Sequence, residues 1–493
     1  MRVRRTSLIS LAAAVAGVAW FSAATIATST TQTAGPGAVT FSETIAPIVY
    51  ANCVTCHRPG EAAPFPLISY EDVQKRGTLI AQVTASRYMP PWHAEPGFGD
   101  FADERRLTDA QIATIAAWVK AGMPRGDLTK MPAVPTFTDG WQLGKPDLVL
   151  QMPEAFAIPA SGPDIYRNFA LPTGLTEDKW VRAVEFRPST RRVVHHALFQ
   201  FVKGGSAAAL SGTDGQPGFS GAMPVRMLPA FAPAGDLGGW AVGTTPRFLP
   251  GDLAWTVKKG SDFVLQLHLH PTGKPETERS TVGLYFGNTP PPRKVRELSA
   301  PGLFGLLANI DIPAGDPAYV VKATARTFAN MRAYSVLAHA HYLGKEMKAI
   351  ATLPDGTTKP MLWIKDWDFN WQDRYVYKQP VDLPKGTKID VTITYDNSAD
   401  NRHNPCNPPR RVQWGVQSYD EMGAVIFQTM TASDEDEVAL DNFNAAIAKA
   451  VANQIQQSDT VKRMQDQQKQ LKAGGALPSG CGPALFTPPS ARR

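Results

Sequence analysis

The sequence predicts a multidomain chain: a small all-α domain near the N-terminus, two all-β sandwich domains after it, and a C-terminal helical tail. Three observations carry that reading. Residues 40–127 hold two amphipathic helical stretches around a Cys-x-x-Cys-His pentapeptide. Residues 148–428 show short apolar or alternating runs between Gly/Pro turns, the spacing of sandwich strands, with no convincing helix of three turns among them. After residue 432, acidic residues open a long helical run. At 493 residues the chain exceeds one ordinary core, and roughly two to four domains are expected. Apolar content of 43% and charged content of 19% describe a globular protein, and 40 Gly with 42 Pro suit a turn-rich, β-rich remainder. The formal charge of +6 falls to +3 once Arg2, Arg4 and Arg5 are set aside, and no basic stripe for nucleic acid is visible.

Residues 1–27 read as a secretory signal peptide: three early arginines, an apolar or small run over 8–24, and Ser22-Ala23-Ala24 for cleavage. An uncleaved anchor is the alternative, since 8–26 approaches spanning length. Either way the chain is expected to be exported, periplasmic or secreted, with membrane contact only if the segment stays. Arg4-Arg5 hints at twin-arginine export, and the general secretory route is the expectation preferred over it. Residues 28–39 form a small-residue linker.

Within 40–127 lies Cys53-Val54-Thr55-Cys56-His57. Two thiols at that spacing can form thioethers with the vinyl groups of one haem, placing the adjacent imidazole on the iron. A redox dithiol or half of a zinc site competes, but neither needs His57. Residues 41–49 form a helix leading into this loop, and residues 107–119 a second with a cap signal at its start. The order of helix, CxxCH, loop and final aromatic-bearing helix resembles the class I cytochrome c fold, which implies one covalent haem c. The axial position opposite His57 is expected at Met89, in Arg87-Tyr88-Met89-Pro90-Pro91-Trp92, where a thioether would raise the potential. His93 and Met123 compete for it.

Residues 128–147 read as a linker. The β region divides at Thr289-Pro290-Pro291-Pro292 into halves of 148–290 and 291–432. The tail, 433–493, begins Ser433-Asp434-Glu435-Asp436-Glu437 and carries lysines late, a polarity that suits the helix dipole. Its polar, Gln-rich second half suggests a solvated tail rather than a working part. Of four cysteines, Cys406 and Cys481 remain for one disulfide in an oxidising compartment.

Six of the nine histidines fall in three pairs within the β region. Positions i and i+2 of a strand share a face, so His339 and His341 can present two imidazoles to one ion, as can His268 and His270. Adjacent His195 and His196 would need a bulge or a strand end. Imidazole suits zinc, copper, iron and nickel, whereas an added thioether selects copper. Val194-His195-His196-Ala197, His268-Leu269-His270, His339-Ala340-His341 and Asp420-Glu421-Met422-Gly423 occur in an order similar to the copper type II, ascorbate-dependent monooxygenases. That is the family of peptidylglycine α-hydroxylating and dopamine β-monooxygenase.

The resemblance covers about residues 150–430 and implies two jelly-roll-like sandwiches, each with one copper, facing across a solvent cleft. It assigns His195, His196 and His268 to an electron-transfer copper. It assigns His339, His341 and Met422 to the copper where O2 and substrate meet. His270 matches a non-ligand position beside the site. The implied activity is hydroxylation of a C–H bond of a small organic substrate, with ascorbate or another cytochrome supplying the haem. The disulfide framework of the animal enzymes is absent, and no substrate identity is carried over. An electron-transfer or copper-handling protein is the competing reading. A multicopper oxidase is excluded, because Cys406 lacks the flanking histidines, and a zinc hydrolase would not explain the haem.

Overall fold

The computed structural model describes residues 39–463 and residue 466, apart from residues 62, 139, 163, 222–232, 252 and 416. The signal segment and Cys481 lie outside the described residues. Cys406 is disulfide-bonded. Among the described residues, no helix is long and apolar enough to cross a membrane.

Strands in several sheets dominate. In the N-terminal region a helical turn Phe41–Ile45 runs into the helix Ala46–Asn52, followed by Tyr70–Gln74, Gly77–Ala85 and Asp109–Lys120. Ser69 and Thr108 cap the second and last of these helices through reciprocal bonds with Asp72 and Gln111, satisfying amides that a helix start leaves open. Phe41, Ile45, Val49, Ile115 and Trp118 close a small core.

The first β unit pairs a four-stranded and a five-stranded sheet. The four-stranded sheet runs Leu148–Gln151, Thr281–Gly287, Lys179–Arg187, Trp255–Val257. The five-stranded sheet runs Phe219–Ser220, Ile165–Pro172, Ser261–Leu269, Val194–Lys203, Pro233–Ala241. Leu150, Val181 and Leu284 from one meet Phe169, Phe263 and Leu267 from the other in a shared core. Ser261–Leu269 is buried at every residue, because Val264 on its second face packs with Val202, Ala207 and Phe219. Such a strand reads as a continuous apolar run rather than an alternating one.

The second β unit opposes two four-stranded sheets. One runs Arg296–Ala300, Gly423–Thr431, Met331–Ala340, Arg374–Leu383; the other runs Tyr319–Arg326, Lys388–Tyr395, Gly344–Thr352, Thr358–Ile364. Val336 and Phe427 meet Met347, Leu362 and Val391 between them.

One segment crosses the boundaries expected from the sequence. Residues 91–106, expected within the 40–127 domain, strap the second β unit. Glu95 N–H donates to the Trp363 carbonyl (2.7 Å) and Ala102 N–H to the Val376 carbonyl (2.8 Å). Ala94 and Phe101 are buried in that unit's core, and Trp92 meets Tyr375 edge-on at 5.1 Å. The tail also departs from expectation. Its helix Asp434–Gln457 breaks at Ser458 and helix resumes over 459–463, and its acids do more than complement the dipole. Asp434 pairs with Arg293, Glu437 and Asp441 with Arg296, and Lys294 with Asp441 at 2.7 Å. Phe443 stacks on Phe328 at 3.6 Å, so the first half of the helix is docked on the second β unit.

Phe101→Ala is expected to remove about 3–5 kcal/mol of stability, the usual cost of emptying a buried phenylalanine site. Urea unfolding would measure it, and a stability change under about 1 kcal/mol would show that the strap is not part of this core.

Candidate metal centres

His195 and His196 sit at the start of the strand Val194–Lys203, and His268 near the end of Ser261–Leu269. These strands pair with His196 opposite His268, and the register shifts between Val194 and His196. That bulge lets two neighbouring side chains turn to one side. The ligand atoms of the three histidines all lie within 4.8 Å of one another. His195 Nδ1 stands 3.0 Å from His196 Nδ1, and His268 Nδ1 3.4 Å from His196 Nδ1. Imidazole–metal bonds of about 2.0–2.1 Å set ligands about 3.3–3.6 Å apart around one ion, so the cluster fits a metal. His268 Nε2–H donates to Asp164 (2.8 Å), which leaves Nδ1 with a bare lone pair. His270 donates Nδ1–H to the other Asp164 oxygen (2.7 Å) and so lies beside the cluster. Ser418 from the second β unit also donates to Asp164 (2.8 Å). Burial works to raise the Asp164 carboxyl, but the bonds from His268 and His270 outweigh it and hold it below the usual carboxylate range.

The second group lies at the end of Met331–Ala340. His339 is opposite Ala424 and Ala340 opposite Gly423, which brings Met422, next along its strand, beside His341. His339 Nδ1–H donates to Gln372 Oε1 (2.6 Å). The Gln372 amide orientation follows from its Nε2 donating to the Phe369 carbonyl (3.0 Å). His341 Nδ1–H donates to the Asp420 carbonyl (3.2 Å). Both rings therefore offer Nε2, whereas His268 offers Nδ1. Glu421, fully buried, accepts from the backbone N–H of His341, of Leu343 (3.0 Å) and of Met422 (2.9 Å). One carboxyl thus ties His341 and Met422 together. Burial pushes Glu421 up to about 8 against the pull of those donors.

The two groups are close. Phe369 stacks on His195 at 4.7 Å and 20°, and stands 6.0 Å from the His341 ring. The resemblance implies a solvent cleft here; instead this buried ring takes up part of the space. What remains is a cavity of about 120 Å³ lined by His196, His339, His341, Met422, Phe369 and Arg374, among others. Burial pushes His195 down to about 3 and His339 to about 4, and it holds His196 and His341 well below the ordinary histidine range. The rings are neutral at physiological pH, as ligation requires.

Cys53 and Cys56 are free thiols at the end of the first helix. Burial pushes Cys53 up to about 12 and raises Cys56. His57 Nδ1–H donates to the Phe65 carbonyl (3.1 Å), leaving Nε2 bare. Two unpaired thiols and an imidazole with one free nitrogen fit a thioether-linked haem. The three axial candidates diverge. His93 lies beside Asp366 and Asp368 of the second β unit. Met123 packs against Gly77 and Trp118 in the helical core. Met89 is half-buried and outside that core.

Asp164, Gln372 and Phe369 were not legible in the sequence, for none lies near a histidine in the chain. Glu421 was readable only as a neighbour of Met422.

No family model and no curated protein matches this chain. Among solved structures, the infectious bursal disease virus Gx strain aligns at 11% identity over 59% of this chain and 78% of that one, with a TM-score of 0.16. The T13 particle of the same virus aligns at 9% identity over 69% and 94%, also at 0.16. Scores that low carry no argument about fold or function.

Asp164→Asn is expected to weaken metal binding at the three-histidine cluster by about 10–100-fold, leaving the second group's uptake intact. Titration against a competing chelator reads both. Acid should destabilise the metal-free protein. Below the unfolded histidine value of about 6.5 the unfolded chain binds more protons than the fold does, so stability falls as pH drops. The loss begins there and continues to about 4 for His339 and about 3 for His195. Urea midpoints against pH should show that slope, and His339→Gln should make it shallower.

Proposed function

We propose that the chain is an exported copper-dependent monooxygenase that uses O2 to hydroxylate a C–H bond of a small organic substrate. Cys53, Cys56 and His57 would hold a c-type haem, with Met89 as its further candidate ligand, and that group would supply one-electron transfer. One observation carries this reading: His196 of the three-histidine cluster, on one β unit, and His339, His341 and Met422, on the other, line a single cavity. Copper at both sets supplies one-electron redox chemistry and contact with O2, while the haem stores electrons from an external donor such as ascorbate or another cytochrome. The stoichiometry is two electrons, two protons and one O2, with one oxygen atom entering the C–H bond and the other leaving as water.

The chain's own residues divide this work. His195, His196 and His268 form an all-imidazole set, and burial keeps His195 and His196 neutral. His339 and His341 present Nε2 beside Met422, whose thioether selects copper in its reduced form. Glu421 holds His341 and Met422 in register. Phe369 and Trp414, both buried cavity-lining residues, keep water out of the space between the sets.

The cavity volume favours a second reading. About 120 Å³ is smaller than the roughly 300–1,000 Å³ of common ligand pockets, as suits an electron-transfer or copper-handling protein without oxygenase activity. One experiment separates the two. Holo-protein carrying haem and two equivalents of copper is reduced anaerobically and then exposed to O2, with haem absorbance and the Cu(II) paramagnetic signal followed together. Met422→Ala is expected to slow O2-driven oxidation by roughly 100-fold, a barrier of about 2.7 kcal/mol. Reoxidation at the wild-type rate would leave the electron-transfer reading standing.

A further inference from the structure

We propose that the connection 365–373, between the strands Thr358–Ile364 and Arg374–Leu383, is the electron bridge from the haem-attachment motif to the three-histidine cluster, with Phe369 as its contact to His195. The proposal rests on the haem–copper reading above and names the route that reading lacks.

Four side chains of this one connection reach four different parts of the machinery. Asp373 pairs with Arg105, and both charges bear on the Cys56 thiol. Trp371 faces the hydroxyl of Tyr88, the neighbour of Met89. Phe369 lies flat on His195 and stands 6.2 Å from the His268 ring. Gln372 orients His339 and bonds back to the Phe369 carbonyl, so the connection is internally braced.

A second contact fixes the haem loop from another side. Glu61, four residues after His57, pairs with Arg58 (2.8 Å) and with Arg191 (3.3 Å), which lies in the turn leading into His195. The strap 91–106 completes the clamp through Arg105, which also donates to the Gly243 carbonyl (3.1 Å) of the first β unit. The haem motif is therefore held at a set position against the copper cluster. Electron passage between buried centres needs close-packed matter in a fixed arrangement, and the aromatic residues of 365–373 supply it. Phe369 is a positioning residue, filling the gap without being oxidised itself.

The step balances as a single electron. Haem iron goes from Fe(II) to Fe(III) and cluster copper from Cu(II) to Cu(I); no bond forms or breaks and no proton moves. A one-electron donor outside the chain then re-reduces the haem.

The test uses full-length protein loaded with haem and Cu(II). The haem is reduced by a light pulse without O2, and its reoxidation is followed by absorbance while loss of the Cu(II) paramagnetic signal is followed in parallel. Phe369→Leu should keep both coppers and the haem spectrum yet slow the transfer by about tenfold or more, equal to about 1.4 kcal/mol in barrier. Phe369→Tyr, which restores an aromatic ring, should retain the wild-type rate within about twofold, equal to about 0.4 kcal/mol. A wild-type rate in Phe369→Leu overturns the bridge while leaving the haem–copper reading intact. No electron exchange in the wild type overturns both. Should Phe369→Leu lose copper, Trp371→Leu at the haem end poses the same question: slowed transfer with both coppers retained supports the bridge, and a wild-type rate rejects it.

Discussion

The burial of uncharged imidazoles is the constraint on which the rest of this structure depends. Taking a histidine out of water is tolerable when it stays neutral and its N–H finds an acceptor. Three of the rings have such an acceptor, each by different means, whereas His195 Nε2 is buried without a partner. Asp164 takes the proton side of His268, Gln372 that of His339, and the Asp420 carbonyl that of His341. Once one nitrogen is committed in this way, the other is left as a bare lone pair facing its neighbours. Bare lone pairs brought together in a buried space repel unless a cation lies between them. The geometry therefore calls for a metal more strongly than the residue types alone.

Local features follow from that requirement. The bulge before His196 exists because two consecutive residues of a regular strand cannot face one point. Glu421 is buried because three backbone amides at the mouth of a strand pair need an acceptor, and one carboxyl satisfies them all. Its side chain holds the turn that carries Met422 against the turn that carries His341. A hydrophobic residue at 421 would leave those amides unpaired.

Assembly departs from a string of tethered modules. Tethering alone would raise effective concentration without needing a built interface. Here the segment 91–106 contributes two residues to another unit's core, and Asp164 on the first β unit accepts from Ser418 on the second. The ion pairs of Glu61 and Arg105 add to the same seam. Packing of this kind sets distances between sites, which a flexible linker cannot do.

Much was readable from the chain itself. CxxCH marks a candidate haem site in five residues, because two thiols and an imidazole come from a single turn. The HxH pairs are legible because a strand repeats every two residues, and the apolar runs because each strand must bury at least one face. These are local patterns, and local pattern is what a sequence displays. What only the tertiary structure decided is which distant residues complete each local set. Asp164 lies 104 residues from His268, and Gln372 lies 33 from His339; no periodicity links them. The strap 91–106 falls by sequence within the 40–127 domain, and only the open edges of Thr358–Ile364 and Arg374–Leu383 make it part of another core. The sequence by itself determined the candidate ligands; folding determined their tautomers, their spacing and their neighbours, because those depend on contacts between strands far apart in the chain.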